Sequence, residues 1–207
     1  YHDKKAGVAL GNQRLAILDV EHGHQPFFSE DKNIVVVQNG EIFNHIELAE
    51  ELSSDGYHCK TSCDTEVILR LYERDGIDGL PLLNGMFSIA IYDKNIDALF
   101  LIRDRVGEKP LHFSFKNGLL LFSSEIKSIL QAINTKTLNL EAISQFLTFN
   151  YVPPPLTMFE DIFHVMPGTY LKITKDKIEE FIWYDLSKHK SKEQSESKWI
   201  EDFNSVL

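Results

Sequence analysis

Three short segments of the chain bring together residue types that can do chemistry. In Gln38-Asn39-Gly40-Glu41-Ile42 the Asn39 carboxamide and the Gly40 backbone N–H can both donate toward one point. Two neutral donors aimed at one point form an oxyanion hole, which stabilises negative charge developing on a carbonyl oxygen. A glycine there also lets the backbone approach a ligand closely. The same Asn-Gly pair is a strong turn signal. In Gly11-Asn12-Gln13-Arg14-Leu15-Ala16-Ile17-Leu18-Asp19, Arg14 is a lone guanidinium in an apolar strand. A buried charge needs a partner. Here it is either an internal carboxylate or a ligand carboxylate gripped by two parallel N–H bonds. In Ser62-Cys63-Asp64-Thr65-Glu66, Asp64 suits a helix N-cap, and as an exposed carboxylate it could instead bind a ligand ammonium.

Other constellations carry less. His22 and His24 suggest a metal, but a surface loop accounts for them better. His58-Cys59 suggests a nucleophile pair. Adjacent residues on an extended segment point to opposite faces, which favours an ordinary reduced cysteine. Cys59 and Cys63 are the two cysteines, too few for a structural zinc site or a disulfide framework, and they fit a reducing compartment. No Gly-rich phosphate loop precedes a Lys-Ser/Thr pair, and no H-E-x-x-H occurs.

The elements that must position these residues are short. Ile34–Gln38 reads as a buried strand ending at the Asn39-Gly40 turn. A helix follows with Ile42, Ile46, Ala49 and Leu52 one turn apart, closed by Gly56. A second helix spans about Asp64 to Arg74, with Val67, Ile68, Leu71 and Tyr72 as its apolar stripe. Three hairpins are expected: Met86–Tyr92 with Ala98–Ile102, Leu111–Phe115 with Leu119–Phe122, and Thr169–Ile173 with Ile178–Trp183. Helices are expected at Ser124–Ile133 and Leu140–Thr148. Val152-Pro153-Pro154-Pro155 reads as a stiff crossover. Ser187–Ser197 reads as a polar linker, after which Trp199, Phe203 and Val206 recur at helical spacing. Antiparallel hairpins with a few helices argue for an α+β fold in layers and against a doubly wound one.

At 207 residues the chain has room for one ample domain or two small ones, at roughly 100–200 residues each. Hydrophobic residues at 43% and charged residues at 25% exclude a disordered or collagen-like chain. A net charge of −10 without a basic block argues against nucleic acid as a partner. No apolar run reaches the ~20 residues that span a bilayer, so no membrane partner is expected.

Taken jointly, the segments resemble the N-terminal glutaminase domain of glutamine-hydrolysing asparagine synthetases, a class II glutamine amidotransferase. The resemblance runs in order through Arg14-Leu15-Ala16-Ile17, His24-Gln25-Pro26 and Asn39-Gly40-Glu41-Ile42-Phe43-Asn44. It continues through Asp64-Thr65-Glu66-Val67 and Leu83-Asn84-Gly85-Met86-Phe87. Arg103-Asp104-Arg105-Val106-Gly107-Glu108-Lys109-Pro110-Leu111 and Ser123-Ser124-Glu125-Ile126-Lys127-Ser128 extend it, and Tyr151-Val152-Pro153 and Pro167-Gly168 complete it. It implies the N-terminal-nucleophile hydrolase fold, a four-layer αββα sandwich of two antiparallel sheets. It also implies roles: Arg14 for the glutamine α-carboxylate, and the backbone of Leu15, Ala16, Ile17 and Leu18 for the pocket edge. Asn39 and Gly40 would form the oxyanion hole, and Glu41 and Asp64 would meet the α-ammonium.

The family's nucleophile is a cysteine at the mature N-terminus whose α-amino group serves as base. Tyr1 is not that residue, and neither Cys59 nor Cys63 falls at a matching position. The expectation is therefore a piece cut at both ends. Residues 1–183 would be the amidotransferase domain without its nucleophile segment, and residues 184–207 the linker and first helix of a synthetase domain. On its own this piece would not hydrolyse glutamine. The resemblance implies aspartate and ATP with Mg2+ as partners of the whole protein only, since no Ser-Gly-Gly-x-Asp-Ser loop occurs here. It implies a cytoplasmic enzyme and is compatible with a homodimer. Because ammonia must be shielded from water, an apolar face including Leu83 and Met86 is expected toward the synthetase domain. Two alternatives stay open. One is a sibling amidotransferase with a sugar or secondary-metabolite acceptor; the other is a non-hydrolytic scaffold, as in β-lactam synthetases.

Overall fold

The computed structural model describes residues 1–13, 19, 21–133, 136–188 and 194–206. Arg14, Leu15, Ala16, Ile17 and Leu18 lie outside the described residues. A short hairpin, β1 (His2–Asp3) with β2 (Val8–Ala9), opens the chain. Then come β3 (Phe27–Phe28), β4 (Ile34–Ile42), α1 (His45–Ser54) and α2 (Asp64–Asp75). The hairpin β5 (Gly85–Asp93) and β6 (Ala98–Arg103) leads to a second one, β7 (His112–Lys116) and β8 (Leu119–Ser123). Helices α3 (Ile126–Ala132) and α4 (Leu140–Phe149) follow. The chain continues through β9 (Phe163–His164), β10 (Thr169–Ile173), β11 (Ile178–Ile182) and α5 (Glu196–Val206).

Among the described residues two larger antiparallel sheets form. One has the order β11-β10-β6-β5-β4-β3, the other β8-β7-β9. The side-chain period of two along a strand divides the core. Val36, Phe87, Ile89, Ile91, Phe100 and Ile102 pack against Leu48 and Leu52 of α1 and Val67, Ile68 and Leu71 of α2. Val35, Val37, Ala90, Leu99 and Leu101 point the other way, onto Phe113, Leu120 and Phe122 of the second sheet. Helix α3 packs on β7 and β8, giving the expected αββα order. At about 1.5–3 kcal/mol per fully buried aliphatic side chain, these two clusters hold the sheets together and leave the strand ends free for polar work.

The three hairpins form where the sequence places them, but β4 does not end at Asn39-Gly40. It pairs with β5 over all nine residues, with Gly40 opposite Phe87. Gly40 is required there by close approach, not by a turn. Its φ is +142°, and a Cβ on it would lie 2.0 Å from the Met86 carbonyl oxygen. Ile42, assigned to the helix from sequence, is the last residue of β4 and is buried. Ile46 is exposed, and α1 buries Leu48 and Leu52 instead. Leu83 sits fully buried in the helix-side core, so it is not on an outward apolar face.

Candidate active site

A cavity of about 490 Å3 opens between the two sheets at the end of β4. Asn39 lines it from β4, Ser88 from β5, Phe122 from β8 and Ser124 from the turn into α3, while Asn12 and Gln13 close it from the loop leading to Arg14. By strand alternation the Asn39 side chain shares the inter-sheet face with Val35 and Val37. Its Nδ2 donates to Ser124 Oγ at 3.0 Å. Glu41 lies one pleat further on, half-buried, its carboxylate without a hydrogen-bond partner among the described residues.

The backbone edge of β4 is more telling. Phe87 turns its main chain toward β6: its N–H reaches Asp104 Oδ2 at 3.2 Å, and its carbonyl accepts the Asp104 N–H at 2.9 Å. In an antiparallel ladder the residue opposite such a strand position turns its own N–H and C=O outward. Gly40 therefore faces the sheet edge, as do Val36, Gln38 and Ile42. The two-residue β3 covers only Val35 and Val36. Beyond it, side chains replace a neighbouring strand. The Gln38 N–H donates to Gln25 Oε1 at 2.7 Å, and the Gln38 carbonyl accepts Asn12 Nδ2 at 2.6 Å. The Ile42 N–H donates to Asp64 Oδ2 at 3.0 Å. Among the described residues no such clamp meets the N–H of Gly40, which follows Asn39 in the strand but is not among the residues lining the cavity.

Asp64 is not the exposed carboxylate considered from sequence. It is 4% exposed, the first residue of α2 rather than its cap, with Cys63 at the cap position. Its Oδ2 is shared by the Ile42 N–H and by Gln38 Nε2 at 3.1 Å. The cause is tertiary: α2 packs its N-terminus against the underside of β4, and an unpaired backbone donor there would be costly. Asn39 and Asp64 are thus brought to one strand segment, Asn39 on its inter-sheet face and Asp64 at its helix-side edge.

The loop after β6 is built on charges that bond to backbone. The fully buried Asp104 carboxylate accepts the N–H groups of Val106, Gly107, Glu108 and Lys109 besides that of Phe87. Arg103 donates to the carbonyls of Lys109, Val165 and Gly107, and Arg105 to those of Pro81 and Leu83. Neither arginine is directed at the cavity by these bonds.

The remaining sequence candidates lie elsewhere. Cys63 is buried beside Gly23 and Asp64. Cys59 packs against the helix-side core, where burial pushes its thiol up to about 11, the nearby Glu66 adding to the shift. Cys59 thus lacks the lowered pKa that activates a thiol. His22 bonds to Asp19, and no group of three metal-ligating side chains occurs among the described residues. No helix among the described residues is long and apolar enough to cross a membrane. Sequence reading missed the roles of Asn12, Gln25 and Thr65; the one signal was Gln38, a polar side chain closing an apolar strand.

A family model for the glutamine amidotransferase domain matches residues 1–184. "Asparagine synthetase [glutamine-hydrolyzing] 1" of Bacillus subtilis is 36% identical over 207 residues, covering 100% of this chain and 32% of that protein. "Putative asparagine synthetase [glutamine-hydrolyzing] 2" of Methanocaldococcus jannaschii is 35% identical over 210 residues, covering 92% of this chain and 40% of the relative. The chain thus spans well under half the length of these relatives. Among solved structures, glutamine phosphoribosylpyrophosphate amidotransferase from B. subtilis superposes with a TM-score of 0.53 at 20% identity, covering 77% of this chain and 31% of that one. That likeness is one of fold.

Proposed function

The chain belongs to the glutamine amidotransferase domain family, and from that premise we propose that the cavity at the end of β4 hydrolyses glutamine within a longer protein. The released ammonia amidates aspartate to asparagine in an ATP-dependent synthetase domain that lies outside these residues. The observation that supports this reading is β4, where the Asn39 amide lines the cavity and the Gly40 N–H, turned to the open strand edge, meets no partner among the described residues.

Hydrolysis begins with a nucleophile adding to the side-chain amide carbon, which moves charge onto the amide oxygen. Asn39 Nδ2 and the Gly40 N–H donate to that oxygen, and one such donor is worth about 10²–10³ in kcat. Asn39 exchanges its bond to Ser124 for the substrate. Arg14 takes the α-carboxylate with its planar fork, beside the backbone of Leu15, Ala16, Ile17 and Leu18. Glu41 takes the α-ammonium with Asp64 behind it, whose Oδ2 holds Gln38 and Ile42 while its Oδ1 meets the Cys63 thiol. Neither Cys59 nor Cys63 suits the nucleophile, so a cysteine from outside these 207 residues supplies the thiol.

Residues 184–207 then form the connection to the synthetase domain, with α5 as its first helix. The exposed Trp199, Ile200 and Phe203 support this, being apolar side chains left without cover. Glutamine, aspartate and ATP with Mg2+ are the small-molecule partners, the cytoplasm the compartment, and a homodimer the simplest assembly.

The test is product analysis on the complete protein given glutamine, aspartate, ATP and Mg2+. Glutamate and asparagine formed together support the reading, and Arg14→Lys then raises KM for glutamine about tenfold or more. Absence of glutamate overturns it.

A further inference from the structure

The side chains that clamp β4 form one closed set. Gln25 Oε1 accepts the Gln38 N–H at 2.7 Å and Asn12 Nδ2 at 2.9 Å. Gln25 Nε2 donates to Thr65 Oγ1 at 3.1 Å. The Thr65 hydroxyl donates in turn to Gln38 Oε1 at 2.8 Å, and Gln38 Nε2 donates to Asp64 Oδ2, which also holds the Ile42 N–H. Thr65 and Gln38 are buried, at 0% and 3% exposure. Each amide hydrogen-bonding end of Gln25 and Gln38 is occupied, so no rotamer change is free of cost.

We infer that Gln25 is a positioning residue for glutamine hydrolysis, acting with Thr65 to set the Gly40 N–H at the angle the oxyanion requires. The inference rests on the glutaminase reading above and adds residues to which that reading gives no role. The geometry is specific. Gln25 grips β4 two residues before Gly40, and Asp64 grips it two residues after. Gly40 itself, at φ +142°, has no side chain to fix it. The peptide carrying the Gly40 N–H is held on one side, through its Asn39 carbonyl, by the β5 ladder opposite Ser88, and the grip at Gln38 fixes the strand edge before it. Without that grip the edge can twist about Asn39 and a glycine whose backbone resists least. A donor aimed at a transition-state charge loses its advantage when misplaced by about 1 Å, which is worth about 10²-fold. Ground-state glutamine, held at its other end, is bound nearly as before.

The test measures steady-state glutaminase kinetics of the complete protein and, beside them, amidation driven by added ammonium ion, which bypasses the oxyanion site. Gln25→Leu is expected to lower kcat for glutamine about 10- to 100-fold, with KM within about threefold and the ammonium-driven rate unchanged. Gln25→Glu keeps an oxygen for the Gln38 N–H but loses the donor to Thr65, and is expected to recover part of the loss. Thr65→Val, nearly isosteric, is expected to lower kcat by a smaller factor, and Thr65→Ser to restore it; this pair serves where Gln25→Leu does not fold. If the unmutated protein releases glutamate and both Gln25→Leu and Thr65→Val keep kcat within twofold, the positioning role is wrong and the glutaminase reading stands. A parallel fall in glutamine- and ammonium-driven rates, with no recovery in Gln25→Glu or Thr65→Ser, also overturns it. If the unmutated protein releases no glutamate, both fall.

Discussion

Asp104 Oδ2 lies 3.2 Å from the backbone nitrogen of Phe87, and Phe87 stands directly across the sheet from Gly40. One carboxylate thereby turns the main chain of β5 away from β4 at the position where β4 must present a free donor. The same carboxylate gathers the loop that follows β6, so the loop and the strand facing Gly40 are set by one buried charge.

Replacing Asp104 by Asn removes an acceptor oxygen and brings in an N–H₂ group that cannot accept. Several of the five backbone N–H groups then lose their partner. Asp104→Asn should lower unfolding free energy by about 3 kcal/mol or more, read as a lower urea midpoint. An unchanged midpoint would mean that the loop finds other acceptors.

Gly40→Ala asks for a Cβ 2.0 Å from the Met86 carbonyl oxygen at a φ of +142°. β4 and β5 must separate locally. The variant should lose at least about 3 kcal/mol of stability, and any folded fraction should lack glutaminase activity. A folded, active Gly40→Ala enzyme would contradict the close approach described here.

Asn39 is exposed and packs little, so Asn39→Ala should leave thermal stability within about 0.5 kcal/mol. Its kcat for glutamine should nonetheless fall about a hundredfold to a thousandfold. A loss confined to KM would move Asn39 from charge stabilisation to simple binding.

The imidazoles of His112 and His164 pack with ring centroids 4.4 Å apart, and both Nδ1 atoms are buried without a partner. Burial pushes His164 from 6.5 down to about 4, with His112 and the Arg103 charge adding to the effect; burial also lowers His112. A histidine with a depressed folded pKa binds fewer protons folded than unfolded. Its contribution is complete above pH 6.5 and is lost as pH falls toward 4. In His164→Gln the drop in Tm between pH 7 and pH 4.5 should be smaller than in the unmutated chain. Parallel curves would show that the pair does not titrate with unfolding.

The hairpins were legible because each joins two alternating strands through a short polar loop, such as Asp93–Asp97 or Lys116–Gly118. β3 and β9 were not, since two residues carry no periodicity. Asn39-Gly40 misled for a physical reason: the dipeptide that favours a turn is also the one that allows a donor beside a glycine in close contact with its neighbour strand. Only the nine-residue pairing with β5 decides between them. Asp64 looked like a cap because its true partners, Gln38 and Ile42, are 26 and 22 residues away. Asn39 was legible as a donor paired with the Gly40 N–H and Glu41 entered through family resemblance, whereas the Gln25–Thr65–Gln38 set left no local pattern to read.

The side-chain clamp along β4 has a second outcome. A bare sheet edge invites another chain to zip onto it, and β3 is too short to guard this one. With Asn12 and Gln25 seated on Gln38, and Asp64 on Ile42, an incoming peptide finds, among the described residues, one vacant amide instead of a row. The edge thus offers polymerising strands nowhere to start.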